Sequence, residues 1–501
     1  MLLTILALLP IVGALLVALL KGDAAKLVGM GVALTTLIFG VVLVAMSLSG
    51  GVAPISVPWI QPIGAHFALA MSNMDAILVL LTVILMPVVM LAEWKIGDKP
   101  ESRGTTGGFF ALALLMQGLA LLVFLAADLL LFYIAFEATL IPIYFMIGRF
   151  GGEGRKRAAI KFLIYSLAGG LVLLVGVVGL FAVGSREGQN SLLLNDLAGL
   201  DLNNTIGHLL FVCVFFAFAV KAPLVGVHTW LPDAAESSSP GTSTLLVGIL
   251  DKIGTFGLIK IGLVVFPESM KWAAPVVVVW AVVSMIYGAL MAIQEKHLLR
   301  LVSYTSISHF GFMVFGIFAL TQQSLTGSIF YMLNHGFSTA ALFLMVGFMI
   351  HRRGSAHIDA FGGVQKVAPV LAGFLLLSGL SALALPGMAS FVSEFMVMAG
   401  SFQRHPVHTA VIALGMVLAA VYVLRMYKTT MTGPVTEQVT EHVSEDLNLR
   451  EKAAVFPLIV LLLVLGFFPK PALDPIDDAS EGFLSVAGVE NPTPKLTEGG
   501  R

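Results

Sequence analysis

The chain has 501 residues, of which 58% are hydrophobic and 11% charged, with a formal net charge of −1. Soluble domains are about one-quarter charged, so this much apolar surface fits no single aqueous core and suits lipid instead. The net charge says little, because the charges sit mostly in the connections, but no stretch is basic enough for nucleic acid. The single cysteine, Cys213, excludes an intrachain disulfide, a CxxC redox motif and a Cys-ligated iron–sulfur cluster, and reads as a small buried hydrophobe.

Apolar runs of about 20 residues, the length that crosses a hydrocarbon core, recur throughout. The first, 2–20, lacks a basic leader and a small-residue cleavage site, so it reads as a retained helix rather than a signal peptide. Next come 27–47, 74–94, 108–127, 128–147 and 159–184, with Asp128 placed to cap the fifth. The runs 207–230, 243–266, 272–293, 300–319, 325–350, 367–403, 408–428 and 454–468 complete the series. The expected fold is all-α and polytopic, with about fourteen spans.

Basic residues cluster after odd-numbered spans: Lys21 and Lys26; Lys95, Lys99 and Arg103; Arg149, Arg155, Lys156 and Arg157; Lys296 and Arg300; Arg352, Arg353 and Lys366; Lys428, Arg450 and Lys452. The positive-inside rule then places these connections in the cytoplasm and both termini outside. The connection around Asp233 and Glu236 carries no basic residue and breaks the pattern.

Two spans are interrupted. The seventh contains Lys221-Ala222-Pro223 and His228, and the overlong twelfth contains Leu385-Pro386-Gly387. Such breaks survive in a bilayer only where protein or trapped water re-satisfies the backbone. Lying five spans apart, they suggest two inverted five-helix repeats. The organisation expected is three N-terminal helices (1–107), a first repeat (108–266), a second repeat (267–432), an amphipathic cytoplasmic connection (433–453), and a last helix with an irregular tail (454–501). In the connection, Val435, Val439, Val443 and Leu447 are spaced for one helix face, to lie on the membrane surface or against a partner.

Ionisable groups at mid-span cost about 3 kcal/mol each on insertion scales and invite a functional reading. They are Glu137 in the fifth span, Lys221 before the first break, Lys252 and Lys260 in the eighth, His309 and His335 in the tenth and eleventh, and Glu394 after the second break. Each also has a structural reading. Glu137 can be a fixed partner for a lysine, the histidines can be hydrogen-bonded core residues, and Lys260 can snorkel to the surface. Asp251 beside Lys252 points about 100° away from it, so both need partners elsewhere. Together the set describes a proton path. Burial and a movable carboxylate tune a lysine, histidines relay, and the broken helices leave room for water. Two mid-span histidines also fit bis-histidine haem, but haem leaves the lysines and acids unexplained. No phosphate loop, dinucleotide fingerprint or zinc spacing is present.

The run from Val227-His228-Thr229-Trp230-Leu231-Pro232-Asp233-Ala234 to Gly248-Ile249-Leu250-Asp251-Lys252-Ile253-Gly254 resembles the antiporter-like subunits of proton-pumping NADH:quinone oxidoreductase, respiratory complex I. So do Tyr304-Thr305-Ser306-Ile307-Ser308-His309-Phe310-Gly311, Phe136-Glu137-Ala138, Asn334-His335-Gly336, Phe391-Val392-Ser393-Glu394-Phe395, Asp446-Leu447-Asn448 and Arg450-Glu451. The resemblance spans nearly the whole chain and is nearest to the subunit M type, subunit 4 in mitochondria. It implies that Glu137 and Lys221 are the acid–lysine pair at a channel entry, Lys252 the central relay, His309 and His335 the connecting axis, and Glu394 the exit acid. Pro223, Pro386 and Gly387 mark the helix breaks, and His228, Asp251 and Lys260 are modulators. Asp251 departs from the family pattern, which has an apolar residue before the lysine.

The same resemblance implies no cofactor in this chain, with FMN, iron–sulfur clusters, NADH and quinone in partner subunits. It implies antiporter-like neighbours on both sides and a location in a bacterial plasma membrane. Subunit L types are longer. A multisubunit sodium/proton antiporter component and a purely structural scaffold are the competing readings.

Overall fold

In the computed structural model, which describes residues 1–99, 102–443 and 445–491, the chain is a bundle of packed helices. Ten helices among the described residues are long and apolar enough to cross a membrane, or eleven if the bent pair at the C-terminus is one span. The bundle is organised for lipid. Its outer helices expose large apolar side chains such as Val12, Ile38, Val276 and Val407. The helices Leu298–Phe318 and Gln322–Arg353 are enclosed along almost their whole length. The expected buried Cys213 is only half-buried, at the outer side of Thr205–Lys221.

The long spans stand where hydropathy puts them. Asp128 caps its helix as expected, its Oδ1 accepting from the Leu130 and Leu131 amides at 2.9 and 3.0 Å. Its Oδ2 accepts from the amide of His66, at 2.9 Å. That bond pins an antiparallel hairpin, Ile55–Ile60 with Ala65–Leu69, that hydropathy alone does not anticipate.

The expected span 207–230 is a helix Thr205–Lys221, an irregular stretch, and a short helix Trp230–Ser237. The expected span 367–403 divides into Pro369–Ala382 and Ala389–Phe402. Both breaks contain a glycine in the left-handed region, Gly226 (φ 96°) and Gly387 (φ 97°), where a side chain is strained. The backbone is re-satisfied within the protein. Without an N–H at Pro223, the Ala219 carbonyl accepts from Leu224 N at 3.0 Å, and Val220 O takes the indole N–H of Trp230 at 3.1 Å. At Val225 the amide donates to Ser284 Oγ and the carbonyl accepts from Trp280 Nε1, at 3.1 and 2.8 Å. Asn334 Nδ2 donates to the Ala389 carbonyl and Ser393 Oγ beyond the second break. These bonds meet the condition under which irregular backbone persists at membrane depth.

Two expectations need correction. The tail is helical from Lys470 to Val486, bent by 70° from Leu449–Phe467. Proline at its start suits a first helical turn, and Ile476, Ser480 and Leu484, four apart, bury one face. Residues 492–501 lie outside the described residues. Between Met431 and Asn448 the described residues of the amphipathic connection are helical over Glu437–His442, and Val439, Val443 and Leu447 are buried against this chain's own body. The Asp446 to Glu451 run fastens that connection. Asp446 accepts from the amides of Val370 and Leu371, Asn448 and Glu451 form a capping box, and Arg352 holds Glu451 with two nitrogens at 2.6 and 3.1 Å.

Candidate functional site

Lys252, His335 and His309 are in mutual contact inside the bundle, and Lys260 stands apart from them. Glu137 sits on the helix Leu129–Ala138, half-buried, and its Oε1 has no hydrogen-bond partner within the protein. The facing residue is Gly170, where any Cβ would overlap the Glu137 carboxyl, so the small residue makes room for the acid. Lys221 ends its helix at the first break, fully buried, with no hydrogen bond to its Nζ. Its ammonium faces the rings of Phe136 and Phe162 at 5.1 and 5.7 Å, contacts that partly offset the loss of water. Glu137 and Asp251 are the acids within electrostatic reach of Lys221, yet neither forms a salt bridge with it. The expected Glu137–Lys221 pair is therefore open in this conformation.

Lys252 lies where the eighth span departs from α geometry. Leu246–Leu250 is a π turn in which the Asp251 amide reaches back to Leu246 at 3.0 Å, one residue further than an α-helix would. Lys252 Nζ donates to the Val247 carbonyl at 2.8 Å and meets His335 Nδ1 at 2.6 Å. It also lies 4.9 Å over the ring of Phe310. His335 and His309 follow edge to face, ring centres 5.1 Å apart. His309 Nε2 meets the Tyr422 hydroxyl at 3.3 Å, while Tyr331, beside both histidines, donates to Glu394 Oε1 at 2.5 Å. Lys252, His335, His309, Tyr331 and Glu394 thus form one enclosed polar seam in an otherwise apolar bundle.

Two candidates have fixed structural contacts. Lys260 neither snorkels nor joins the seam. It pairs with Asp75 Oδ2 at 2.9 Å and donates to the Phe124 carbonyl at 3.0 Å. His228 accepts the Gly226 amide on Nδ1 and packs on Tyr287, holding the shape of the first break. Pro223, Pro386 and Gly387 lie in the breaks, as expected. Asp251, by contrast, is fully buried with neither carboxylate oxygen hydrogen-bonded.

Sequence reasoning missed Tyr331, Tyr422, Gly170 and Asp75. It also missed why the connection at Asp233 and Glu236 breaks the charge pattern. Those acids take their cations from other segments. Lys161 reaches Asp233 at 2.7 Å, and Arg300 reaches Asp233 and Glu236 at 2.9 and 2.8 Å.

A many-helix bundle with two broken helices and a polar seam through its centre defines a membrane subunit of the proton-antiporter type. Residues 126–421 match the family model described as NADH:quinone oxidoreductase/Mrp antiporter, TM. A Mycobacterium tuberculosis protein named NADH-quinone oxidoreductase subunit M is 42% identical, covering 99% of this chain and 96% of that one. The Escherichia coli K12 protein of the same name is 35% identical over 83% of this chain and 82% of its own length. The chain belongs to the NADH-quinone oxidoreductase subunit M family. A chain of respiratory complex I from Thermus thermophilus with bound NADH superposes with a TM-score of 0.88 at 28% identity, covering 97% of this chain and all of that one. A chain of the Mrp complex from Dietzia shares the fold, with a TM-score of 0.85 at 21% identity over 97% of this chain and 99% of that chain.

Proposed function

We propose that this chain is the proton-translocating membrane-arm subunit M of an NADH:quinone oxidoreductase. The observation that carries this reading is the Lys252–His335 contact within a buried seam running to Glu394. No ordinary core needs such a seam, and its desolvation cost demands a function. Glu137 is the acid that approaches and leaves Lys221, changing the lysine's hold on its proton. Lys252 and the histidines carry the proton across the centre, and Glu394 delivers it to the far side. The breaks at Pro223 and Pro386–Gly387 supply backbone groups and room for water.

The span count is about fourteen, taking each broken helix and the π-containing stretch as one crossing, with 108–266 and 267–432 as inverted repeats. The chain lies in a bacterial plasma membrane, both termini outside, between other antiporter-like subunits. FMN, iron–sulfur clusters, NADH and quinone belong to partner subunits, whose redox free energy arrives here as an electrostatic or conformational change. Sodium/proton exchange is the second reading, supported by the matching family model, whose description includes the Mrp antiporter.

The test is NADH-driven proton uptake by inverted membrane vesicles, wild type against Glu137→Gln, with assembly checked. Loss of uptake in assembled complexes supports the reading. Unchanged uptake removes Glu137 from the path, and sodium-dependent exchange without NADH favours the second reading.

A further inference from the structure

We infer that Asp251 is a proton-carrying residue that bridges Lys221 and Lys252, joining the entry half of the path to the central seam. The inference rests on the proton-translocating reading above and adds a step to it.

Lys221 has no hydrogen-bonded neighbour through which a proton could pass onward, and the contacts of Lys252 are the Val247 carbonyl and His335. A carbonyl accepts a hydrogen bond but carries no proton onward, and His335 lies on the exit side. No side chain hydrogen-bonded to either lysine joins the two.

Asp251 stands where that link is needed. Its backbone is right-handed helical (φ −67°, ψ −23°), continuous with the helix Lys252–Gly257. Residues three apart share a helix face, so Asp251 lies on the face of Gly254. That face meets the end of the helix carrying Lys221. A Cβ on Gly254 would stand 2.5 Å from the Ala222 amide nitrogen and 2.7 Å from the Phe218 carbonyl oxygen. Lys252, about 100° further round, turns to His335 instead. The consecutive pair thus presents an acid toward Lys221 and a base toward the seam. Both lysines lie within electrostatic reach of the Asp251 carboxyl.

A carboxylate serving only as a fixed counter-ion would be expected in a salt bridge or under backbone donors, as Asp75 and Glu451 are. Asp251 has neither, with both oxygens buried and unpartnered. Transfer is balanced in two steps. The Lys221 ammonium gives a proton to the Asp251 carboxylate, leaving a neutral amine and a carboxylic acid. The acid then gives it to a neutral Lys252 amine, restoring the carboxylate and forming the ammonium.

The experiment compares Asp251→Asn, Asp251→Leu, Asp251→Glu and Glu137→Gln in the whole membrane complex. It reads assembly, NADH oxidation by the electron-input module, and NADH-driven proton uptake. The expected result is that Asp251→Asn assembles, keeps the electron-input activity and loses proton uptake, while Asp251→Glu restores it. Uptake at wild-type level in Asp251→Asn, with loss in Glu137→Gln, overturns this inference alone. Wild-type uptake in both overturns the reading beneath it. Should the asparagine variant fail to assemble, Asp251→Leu decides: assembly without uptake supports the inference, and assembly with full uptake overturns it. Assembly of neither neutral variant makes the carboxylate structural and overturns it as well.

Discussion

Lys260→Met separates a structural lysine from a proton carrier, because the contacts of Lys260 lie off the seam. The ammonium meets two oxygens, Asp75 Oδ2 at 2.9 Å and Phe124 O at 3.0 Å. Asp75 is buried and is also the third residue of a capping box, its Oδ2 accepting from the Ser72 amide at 2.8 Å. Methionine keeps most of the volume but leaves the carboxylate without its cation. Breaking a buried pair from one side costs about 3–5 kcal/mol. The Ser72 bond survives, which puts the cost near 3 kcal/mol, or about a hundredfold in the folded-to-unfolded ratio. The expected outcome is a marked loss of assembled complex on native gels and faster thermal loss of the remainder. The complexes that do assemble should pump at the wild-type ratio of protons to NADH. A double variant, Asp75→Asn with Lys260→Met, should be less damaged than the sum of its singles, because it removes the orphaned charge. Full assembly of Lys260→Met with pumping abolished would refute the argument and return Lys260 to the proton path.

Gly170→Ala should leave assembly close to wild type and depress proton uptake, because its methyl displaces the Glu137 carboxyl, a flexible end, rather than any backbone. Misplacement by about 1 Å can cost about a hundredfold in a positioned step, and vesicle uptake alongside a native gel reads both effects. Tyr331→Phe removes the hydrogen bond to Glu394, worth about 1.5–3 kcal/mol for a charged acceptor; proton uptake should fall while Tyr422→Phe, one contact further from the acid, has the smaller effect. Removing residues from Lys470 onward uncovers the surface beneath Ile476 and deletes Asp477, whose Oδ1 accepts from Thr326 Oγ1 at 2.8 Å. The expected loss is in assembly and not in the proton-to-NADH ratio of the complexes that form.

Much of this was legible from the chain alone, for identifiable reasons. Long spans follow from hydropathy because lipid imposes a length, and the breaks follow from Pro223 and Pro386 because proline removes a donor. The cap at Asp128 was legible because its partners lie two and three residues away. What failed depends on distant partners. Ser72 with Asp75 is a readable helix start, but its lysine lies 185 residues further on. Tyr331 and Tyr422 look like ordinary aromatic core until Glu394 and His309 are brought beside them. The tail's proline and glycine content suggested irregular structure, although Ile476, Ser480 and Leu484 already marked a helical face. The connection at Val439, Val443 and Leu447 showed the right spacing, but its partner is this chain's own surface.

The buried and half-buried charges of this chain divide into two populations, and the division bears on whether it is a scaffold or a conductor. One population is locked: Asp75 with Lys260, Arg352 with Glu451, and Lys161 and Arg300 with Asp233. Each of these joins separate segments, so each fixes one helix against another, and most lie toward the ends of spans. The other population is Glu137, Lys221, Asp251, Lys252 and Glu394. No salt bridge joins any two of these among the described residues, and three have polar atoms with no partner in the protein. A scaffold gains nothing from leaving charges in low dielectric without counter-ions, since the desolvation cost is borne without the Coulombic return. A conductor needs that state. A proton held by a salt bridge does not move, whereas one on an unpaired lysine beside an unpaired acid moves when a nearby charge shifts. The locked pairs hold the helices still so that small displacements of Glu137 or Asp251 change where the proton sits, not how the bundle packs.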